Sequence, residues 1–176
     1  MKQQVLLTRS LFLCEKMEAH ERGLQHYAFS IIIINDNGDM LLQKRAYSKY
    51  HCGGLWSNAC CGHPLSVDTI KDIEQAAFIR LQEEMGISIS LRHLFTFEYL
   101  EKCGDLTENE IDYVFIGKYN NSAILPNPKE VVDYRWKSIG EIIRDIESYP
   151  QKYTPWFRIL TSQLMANYNK YKLKNN

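Results

Sequence analysis

The sequence lacks a net charge and lacks any long hydrophobic run. Its 176 residues include 21 Lys and Arg against 21 Asp and Glu, so the formal net charge is zero. A chain without a basic excess has no overall field to attract nucleic acid or an anionic membrane surface. No stretch approaches the roughly 20 apolar residues that a membrane-spanning helix requires. Nucleic-acid and membrane partners are therefore not expected, and an anionic ligand would require a local basic cluster or a metal ion.

Cysteines are few and irregularly spaced. The chain has five, an odd number without the spacing of a disulfide framework, which is typical of a reduced intracellular protein. We therefore expect free thiols and a cytoplasmic location. Residues 1–14 contain Lys2 and Arg9 and no acid, but Thr8-Arg9-Ser10 interrupts the apolar run, which excludes a secretory signal. A short organellar transit peptide is the weaker alternative for this segment.

The hydrophobic pattern predicts a single domain, residues 1–176, of strands interleaved with helices. β-Branched and alternating apolar residues predict strands, whereas apolar residues three to four positions apart predict helices. A helix ending at Met85 is favoured because Gly86 stands where a C-terminal cap glycine is expected. The expected strands are residues 28–34, 40–43, 87–91, 94–100, 111–119 and 131–136, and the expected helices are residues 69–85, 139–146 and 155–168. This order of elements predicts an α+β fold, an α/β sandwich.

Two glutamates and three histidines are candidate metal ligands. Imidazole and carboxylate groups together suit a divalent transition metal. Glu108 and Glu110 are two residues apart, so in a strand both side chains point to the same face. Two carboxylates directed into one pocket repel each other unless a cation or a proton lies between them. The alternative is a solvated strand edge, which is excluded only if the fold brings the histidines to the same place. These histidines are His20, His26 and His63.

A thiol lies close to one of these histidines, because Cys61 and His63 belong to the motif Cys-Gly-His-Pro. A thiol beside a metal site indicates chemistry, since a structural zinc site is normally closed by four ligands and usually contains several cysteines. The alternative for Cys61 is a small buried hydrophobic residue, and Cys60 is assigned to that role. His51 and His93 have no partner in the pattern, and we interpret them as ordinary histidines.

Residues 79–87 partly match the Nudix helix pattern R-E-U-x-E-E-x-G-U, where U is a bulky apolar residue. The E-E-x-G-U part is present, but Ile79-Arg80 replaces the leading Arg-Glu pair. Adjacent acids near a helix C-terminus face the unfavourable end of the helix dipole, which favours a bound cation over exposed glutamates. Basic side chains elsewhere could converge on phosphate, although each alone is typical of a solvated surface charge. They are Lys16, Arg45, Lys49 and Arg80.

Together these pieces resemble the metal-dependent type I isopentenyl diphosphate isomerases, a family with a Nudix-like mixed sheet flanked by helices. The resemblance extends from about Glu15 to Arg158. Six segments in the right order are far more specific than one short motif. The segment before Glu15 is shorter than is usual in the family, and the helix pattern is degenerate, as it generally is there. The six segments are residues 15–20, 26–30, 45–51, 54–64, 108–110 and 154–156.

The resemblance implies a role for each candidate residue. Cys61 and Glu110 would transfer protons on opposite faces of the substrate. Tyr99 would assist the protonation, and Trp156 would face the developing carbocation, although either aromatic alone is more typical of a core. The catalytic manganese, zinc or iron ion would be bound by His20, His26, His63, Glu108 and Glu110.

The resemblance also implies a second ion and a substrate. Glu84 would bind Mg²⁺ together with the backbone carbonyl of Cys61 and a diphosphate group. The diphosphate belongs to a small-molecule substrate, and the implied protein is a monomer or weak homodimer. The residues that would contact the diphosphate are Lys16, Arg45, Lys49 and Arg80.

The implied reaction converts isopentenyl diphosphate to dimethylallyl diphosphate through a tertiary carbocation, in isoprenoid biosynthesis. The alternative enzyme is a Nudix hydrolase that cleaves a nucleoside diphosphate derivative, and the degenerate helix pattern argues against it. A second alternative is a metal-stabilised binding module, which would tolerate loss of Cys61 and would not exchange protons with solvent.

Overall fold

The computed structural model describes residues 3–49 and 51–172, with the side chains of residues 167–172 excepted. Met1, Lys2 and the end of the expected 1–176 domain lie outside the described residues. The described strands are β1 (Gln4–Leu6), β2 (Leu13–Glu15), β3 (His26–Ile34), β4 (Met40–Arg45), β5 (Trp56–Asn58), β6 (Cys60–Gly62), β7 (Arg92–Cys103), β8 (Leu106–Lys118) and β9 (Val131–Lys137). The described α-helices are α1 (Lys16–Arg22), α2 (Ile70–Met85), α3 (Ile139–Ser148) and α4 (Pro155–Lys172), and a 3₁₀ turn spans Pro150–Lys152.

One large mixed sheet is the centre of the fold. Its strand order is β5-β4-β3-β8-β7, with β6 beside β3 and β9 beside β4. Strands β3 and β8 run parallel, whereas their other neighbours run antiparallel. The short pair β1–β2 forms a separate sheet. The predicted α+β fold, with helices flanking a mixed sheet, is confirmed.

The two faces of the sheet are packed against different helices. Side chains alternate along β3, so Phe29 and Ile31 lie in the core that contains Leu81 of α2. Ile32 lies in the opposite core, which contains Phe157 of α4. The strand therefore has apolar residues on both faces, as expected for a strand covered by helices on both sides. Residues His26 and Ser30 lie on the α4 face, together with the buried carboxylates of β8 described below.

The predicted start and end of α2 are confirmed. Thr69 and Asp72 form a reciprocal capping box at the N-terminus, in which each side chain accepts a backbone N–H. Gly86 ends the helix in the left-handed region, at φ 67°. A side chain at that position would be strained and would also approach the backbone of Leu125. These caps fix the position of Glu84 in the last turn.

The strand expected at residues 87–91 is wrong. Ile87, Ile89 and Leu91 are buried as the alternation predicts, but the segment forms no strand in the described structure. It crosses the end of β8 at Gly117, where an added Cβ would lie 2.7 Å from Ile89 Cδ1. The segment thus packs its side chains over a glycine of the sheet instead of pairing its backbone with a strand edge.

The expectation that every cysteine is a free thiol is wrong for two of them. Cys52, in the loop between β4 and β5, forms a disulfide with Cys103 at the end of β7, with Cα atoms 6.5 Å apart. Cys14, Cys60 and Cys61 are free. Among the described helices, none combines the length and the apolar character that crossing a bilayer needs.

Candidate metal centre and catalytic site

Strand β8 carries a row of buried carboxylates on one face. Glu108 and Glu110 are 2% and 6% exposed, so they do not form a solvated strand edge. Asp112 continues the same row, is also buried, and accepts a hydrogen bond of 2.7 Å from Ser30 Oγ. Burial and the neighbouring charge of Glu110 raise the pKa of Asp112 well above its usual value. Such a concentration of buried acids needs compensating partners.

Two histidines are held beside this row by their own backbone environment. His20 on α1 has Nδ1 within 2.6 Å of Lys16 O, and His26 has Nδ1 within 2.8 Å of Leu24 O. Because Nδ1 is the donor in each contact, Nε2 is left as the atom that faces the carboxylates. The turn between them is fixed by Gly23, whose carbonyl accepts a hydrogen bond of 2.9 Å from Asn109 Nδ2.

The register of the sheet brings the ligand candidates together. His26 on β3 lies directly opposite Glu110 on β8. His26 Nε2 is 3.3 Å and His63 Nε2 is 3.0 Å from Glu110 Oε1. His20 Nε2 is 3.2 Å from Glu108 Oε2.

These distances test whether the residues fit a divalent ion. Donors bound at about 2.1 Å and at right angles around one ion lie about 3 Å apart, which matches these contacts. Ligand atoms of His20, His26, His63 and Glu110 all lie within 4.8 Å of one another. His26 Nε2 is buried and lacks hydrogen-bond geometry with the carboxylate beside it. The imidazole and carboxylate groups therefore fit a divalent transition metal.

The protonation states of His63 and Glu110 suit metal binding, whereas, against the effect of burial, the contact with Glu110 raises the pKa of His26 and a bound ion would have to displace a proton there. Burial lowers the pKa of His63 to about 3, assisted by the positive charge of Lys16, so the imidazole is neutral at pH 7. Burial alone would raise the pKa of Glu110, but contacts with His26 and His63 hold it well below its usual range. Neutral imidazoles and ionised carboxylates are the forms that bind metal ions.

Glu110 has a second partner on the neighbouring strand. Tyr99 on β7 lies opposite Glu110 in the sheet, and its hydroxyl donates a hydrogen bond of 2.5 Å to Oε2. Burial and the charge of Glu110 raise the pKa of Tyr99 well above its usual value, so the phenol keeps its proton. One oxygen of Glu110 thus faces two histidines and the other faces a phenol.

The Cys61 thiol faces the same row of acids. Its Sγ lies 3.6 Å from Ser30 Oγ and donates to Asn58 Oδ1 at 3.2 Å. Burial, together with the charge of Asp112, raises the pKa of Cys61 to about 12, so the sulfur is protonated at neutral pH. Cys60 is fully buried in the core on the α2 face, as its assignment predicts.

The indole of Trp156 is buried at the start of α4. Its Nε1 donates to Ser57 Oγ at 3.0 Å, and the guanidinium of Arg45 lies 5.1 Å from the ring centroid. The ring of His51 lies 5.7 Å from the indole centroid. The aromatic face is therefore already in contact with a cation.

A second cluster surrounds Glu84 at the end of α2. Its Oε1 lies 3.2 Å from Lys49 Nζ and 2.6 Å from Arg80 Nη2, and its Oε2 accepts from Gln43 Nε2 at 3.0 Å. Glu130 contacts both cations and lies 3.0 Å from Arg80 Nη2. Two of the four predicted phosphate contacts thus meet at the predicted magnesium ligand.

The other predicted phosphate contacts lie near the metal candidates. Burial, then the positive charges of Lys49 and Arg45, lowers the pKa of Lys16 to about 8, whereas the charges of Glu108 and Glu110 oppose that change. The charges of Lys49 and Arg45 thus act on Lys16, an arrangement that an anionic ligand would stabilise.

Several contacting residues were missed by the sequence interpretation. His51 was assigned as an ordinary histidine, yet its Nε2 contacts Glu108 Oε1 and its ring lies 5.6 Å from that of His20. Asp112 is two residues beyond Glu110, so the same alternation could have identified it. Glu130 lies in a loop and gives no periodic signal. His93 Nε2 lies within hydrogen-bond distance of Thr96 Oγ1, and its ring packs edge-on against Phe115. These contacts lie away from the carboxylate row, as expected for an ordinary histidine.

Comparisons with known proteins first define the class. The NUDIX domain family matches residues 24–157. Among solved structures, a Deinococcus radiodurans protein has a TM-score of 0.71 at 14% identity and covers 92% of this chain and 98% of its own. A MutT protein from Methanosarcina mazei has a TM-score of 0.63 at 20% identity, over 81% of this chain and 94% of its own. The chain has the NUDIX fold.

Relatives in sequence then define the particular family. Isopentenyl-diphosphate Delta-isomerase 2 of Aromatoleum aromaticum is 40% identical over 152 residues, which is 86% of this chain and 78% of that protein. The isopentenyl-diphosphate Delta-isomerase of Photobacterium profundum is 41% identical over 89% of this chain and 91% of its own. The chain belongs to the isopentenyl-diphosphate Delta-isomerases.

Proposed function

We propose that the chain interconverts isopentenyl diphosphate and dimethylallyl diphosphate, the reaction after which its relatives are named, by proton transfer through a tertiary carbocation. The observation that carries the mechanism is the environment of Glu110. This ionised carboxylate is contacted by two histidines and a phenol. A thiol that keeps its proton lies further along the same row, 3.6 Å from the Ser30 hydroxyl that donates to Asp112. An acid and a base thus share one side of the sheet.

The resting charges support an acid–base assignment. In the forward direction, the Cys61 S–H proton would be transferred to the terminal carbon of the alkene, leaving a thiolate and a tertiary carbocation. The Glu110 carboxylate would then take a proton from the carbon next to the cation, which forms the new double bond. The net result moves one proton from sulfur to oxygen, and exchange with solvent restores both groups.

An unactivated alkene is a poor base, so the site must stabilise the cation strongly. Positioned acid–base groups typically contribute ~10²–10⁴-fold, and a desolvated cation–π contact with Trp156 about 2 kcal/mol. Enzymes generally lower barriers by ~8–23 kcal/mol. The fixed negative charges of Glu108 and Glu110 would supply much of the remainder, because the cation would develop on their side of the sheet.

The transition-metal ion would be held by the three histidines and the two glutamates of β8: His20, His26, His63, Glu108 and Glu110. When bound, it would fix the orientation of Glu110 and keep its carboxylate ionised. Manganese, zinc and iron all suit this donor set. Two further roles belong to the protein itself. Tyr99 would orient Oε2 of Glu110 through its hydrogen bond, and burial would exclude water that could capture a carbocation.

The diphosphate would bind on the basic side of the site. The charges of Lys49 and Arg45 disfavour the protonated form of Lys16, and a diphosphate would relieve that repulsion. Glu84 would bind Mg²⁺ with diphosphate oxygens and the Cys61 carbonyl, and Arg80 would turn from Glu84 to the phosphate. Binding energy from this charged end can hold the small apolar end, which has few polar contacts of its own. A cytoplasmic location and a monomer or weak homodimer remain predictions.

The test is incubation of purified protein with isopentenyl diphosphate and Mg²⁺ in deuterated water. We expect deuterium in a methyl group of dimethylallyl diphosphate, detected by mass spectrometry and NMR. Cys61→Ala should slow the labelling by ~10²–10⁴-fold, whereas Cys14→Ala, which removes another free thiol, should not slow it. Release of phosphate without a deuterated alkene would instead indicate a hydrolase.

A further inference from the structure

His51 is the histidine that the site contains in addition to the expected three. It lies in the loop between β4 and β5, and its side chain is only 7% exposed. The ring lies 5.6 Å from the ring of His20 and 5.7 Å from that of Trp156. The imidazole therefore fills the space between the candidate metal ligands and the indole.

The two oxygens of Glu108 have different neighbours. Oε2 lies 3.2 Å from Nε2 of His20, and Oε1 is contacted by Nε2 of His51. The contact of His51 Nε2 with Oε1 is close but lacks hydrogen-bond geometry in the structure, as does that of His26 Nε2 with Glu110. A carboxylate can only accept hydrogen bonds, so an imidazole that hydrogen-bonds to it must supply the N–H. One oxygen is thus directed to a candidate ligand and the other to a candidate hydrogen-bond donor.

A separate second ion at His51 is excluded by the chemistry of His20. The ligand atoms of His20, His51 and Glu108 lie within 4.8 Å of one another, and this group shares only His20 with the group around Glu110. His20 Nδ1 already lies 2.6 Å from Lys16 O, so Nε2 offers the one lone pair. One lone pair binds one ion, so His20 joins the two groups into one centre, which His51 reaches through its contact with Glu108.

We propose that His51 is a positioning residue of the metal centre. With the ion bound, His51 Nε2–H would donate to Glu108 Oε1 and hold the carboxylate with Oε2 toward His20 and the ion. The inference rests on the metal centre of the proposed function. Carboxylates that bind metal ions are commonly hydrogen-bonded in turn, and such outer partners orient the ligand before the ion arrives.

The loop is fixed in a way that suits this role. Arg45 Nη2 donates to the carbonyl of His51 at 3.3 Å. The next residue, Cys52, has φ 51° and is covalently joined to Cys103 on β7, close to the turn that leads into β8. The disulfide therefore links the loop that contains His51 to the β7–β8 hairpin that contains Glu108.

The test compares His51→Phe with His51→Gln in the full chain. Phenylalanine keeps a ring between His20 and Trp156 but removes the donor, whereas glutamine restores an N–H donor. Co²⁺ is the probe, with affinity measured by chelator competition and coordination by the visible absorption spectrum. We expect His51→Phe to bind Co²⁺ about 10- to 100-fold more weakly. We expect His51→Gln to bind nearly as tightly as the unmodified chain, and both variants to keep its spectrum.

Three outcomes would overturn the inference. Equal affinity in the unmodified chain and His51→Phe would show that the contact positions nothing. A changed spectrum in both variants, with no recovery in His51→Gln, would make His51 a direct ligand. Absence of Co²⁺ binding by the unmodified chain would remove the metal centre itself, a failure of the proposed function that is distinguishable from the other two. Unfolding curves check that the variants fold, and His51→Ala makes the same comparison with glutamine if the phenylalanine variant does not.

Discussion

Loss of the disulfide between Cys52 and Cys103 should lower the free energy of unfolding substantially. The two cysteines are 51 residues apart in the chain. In the chain-entropy account of disulfides, breaking a cross-link that closes a loop of this length increases the entropy of the unfolded chain. The free energy of unfolding then falls by about 4 kcal/mol at room temperature. For a protein of this size each kcal/mol changes Tm by about 2–4 °C, so Tm should fall by about 8–16 °C. These values are upper estimates, since the reduced unfolded chain keeps some residual structure.

The assay is urea unfolding of the oxidised chain, the chain in dithiothreitol, and Cys103→Ser. The last two should unfold at the same lower urea concentration, and reductant should not affect Cys103→Ser further. Cys14→Ser is the matched control, because Cys14 is a free thiol and its loss should leave the midpoint unchanged. Alkylation under denaturing conditions should label three cysteines before reduction and five after it. Five labelled cysteines in the untreated chain, or an unchanged midpoint in reductant, would refute the reasoning.

Four further predictions concern the proposed reaction and use steady-state kinetics. Cys61→Ala removes the acid and should lower kcat by ~10²–10⁴-fold with an unchanged circular dichroism spectrum, and full activity would remove Cys61 from the mechanism. Glu110→Gln should lower kcat by more than about 100-fold and also weaken Co²⁺ binding, because the carboxylate would both bind the ion and accept the substrate proton. A near-normal rate would contradict that dual role. Tyr99→Phe removes a hydrogen bond to a charged group, worth about 1.5–3 kcal/mol, and should lower kcat roughly 10- to 100-fold with little change in KM. Glu84→Gln should raise the Mg²⁺ concentration for half-maximal rate about tenfold or more while leaving Co²⁺ binding intact, and an unchanged Mg²⁺ dependence would exclude Glu84 as its ligand.

Two of the proposed metal ligands, Glu108 and Glu110, could be predicted from the sequence because they lie in one strand, whereas His63 lies just beyond the end of β6 and was indicated by its motif. Glu108 and Glu110 alternate along a strand, and that period also places Asp112 on their face, so the third acid was detectable. The buried alternation of Ile87 and Ile89 was correct as well. Their absence from the sheet was not predictable, because pairing depends on which backbone lies alongside and not on the segment itself.

His51 could not be found in the same way. Its loop has no period, and Cys52 has a backbone conformation, φ 51°, that L residues rarely adopt. The position of the imidazole depends on Cys103, which is distant in sequence and whose spacing matches no disulfide framework. The contact between His51 and Glu108 is therefore a property of the tertiary structure, in contrast to the spacing of two acids in a strand.

The parallel pairing of β3 with β8 has a consequence for how the chain folds. His26 on β3 and Glu110 on β8 face each other although β4, β5, β6, α2 and β7 lie between these strands in the chain, so forming the contact carries a high loop-closure entropy. A one-residue slip would turn His26 to the α2 face and separate it from the carboxylate. A divalent ion bound across the pair would then select the correctly aligned strands. A chain that folds without that ion would lack this selection, and we expect it to form more misaligned, aggregation-prone species.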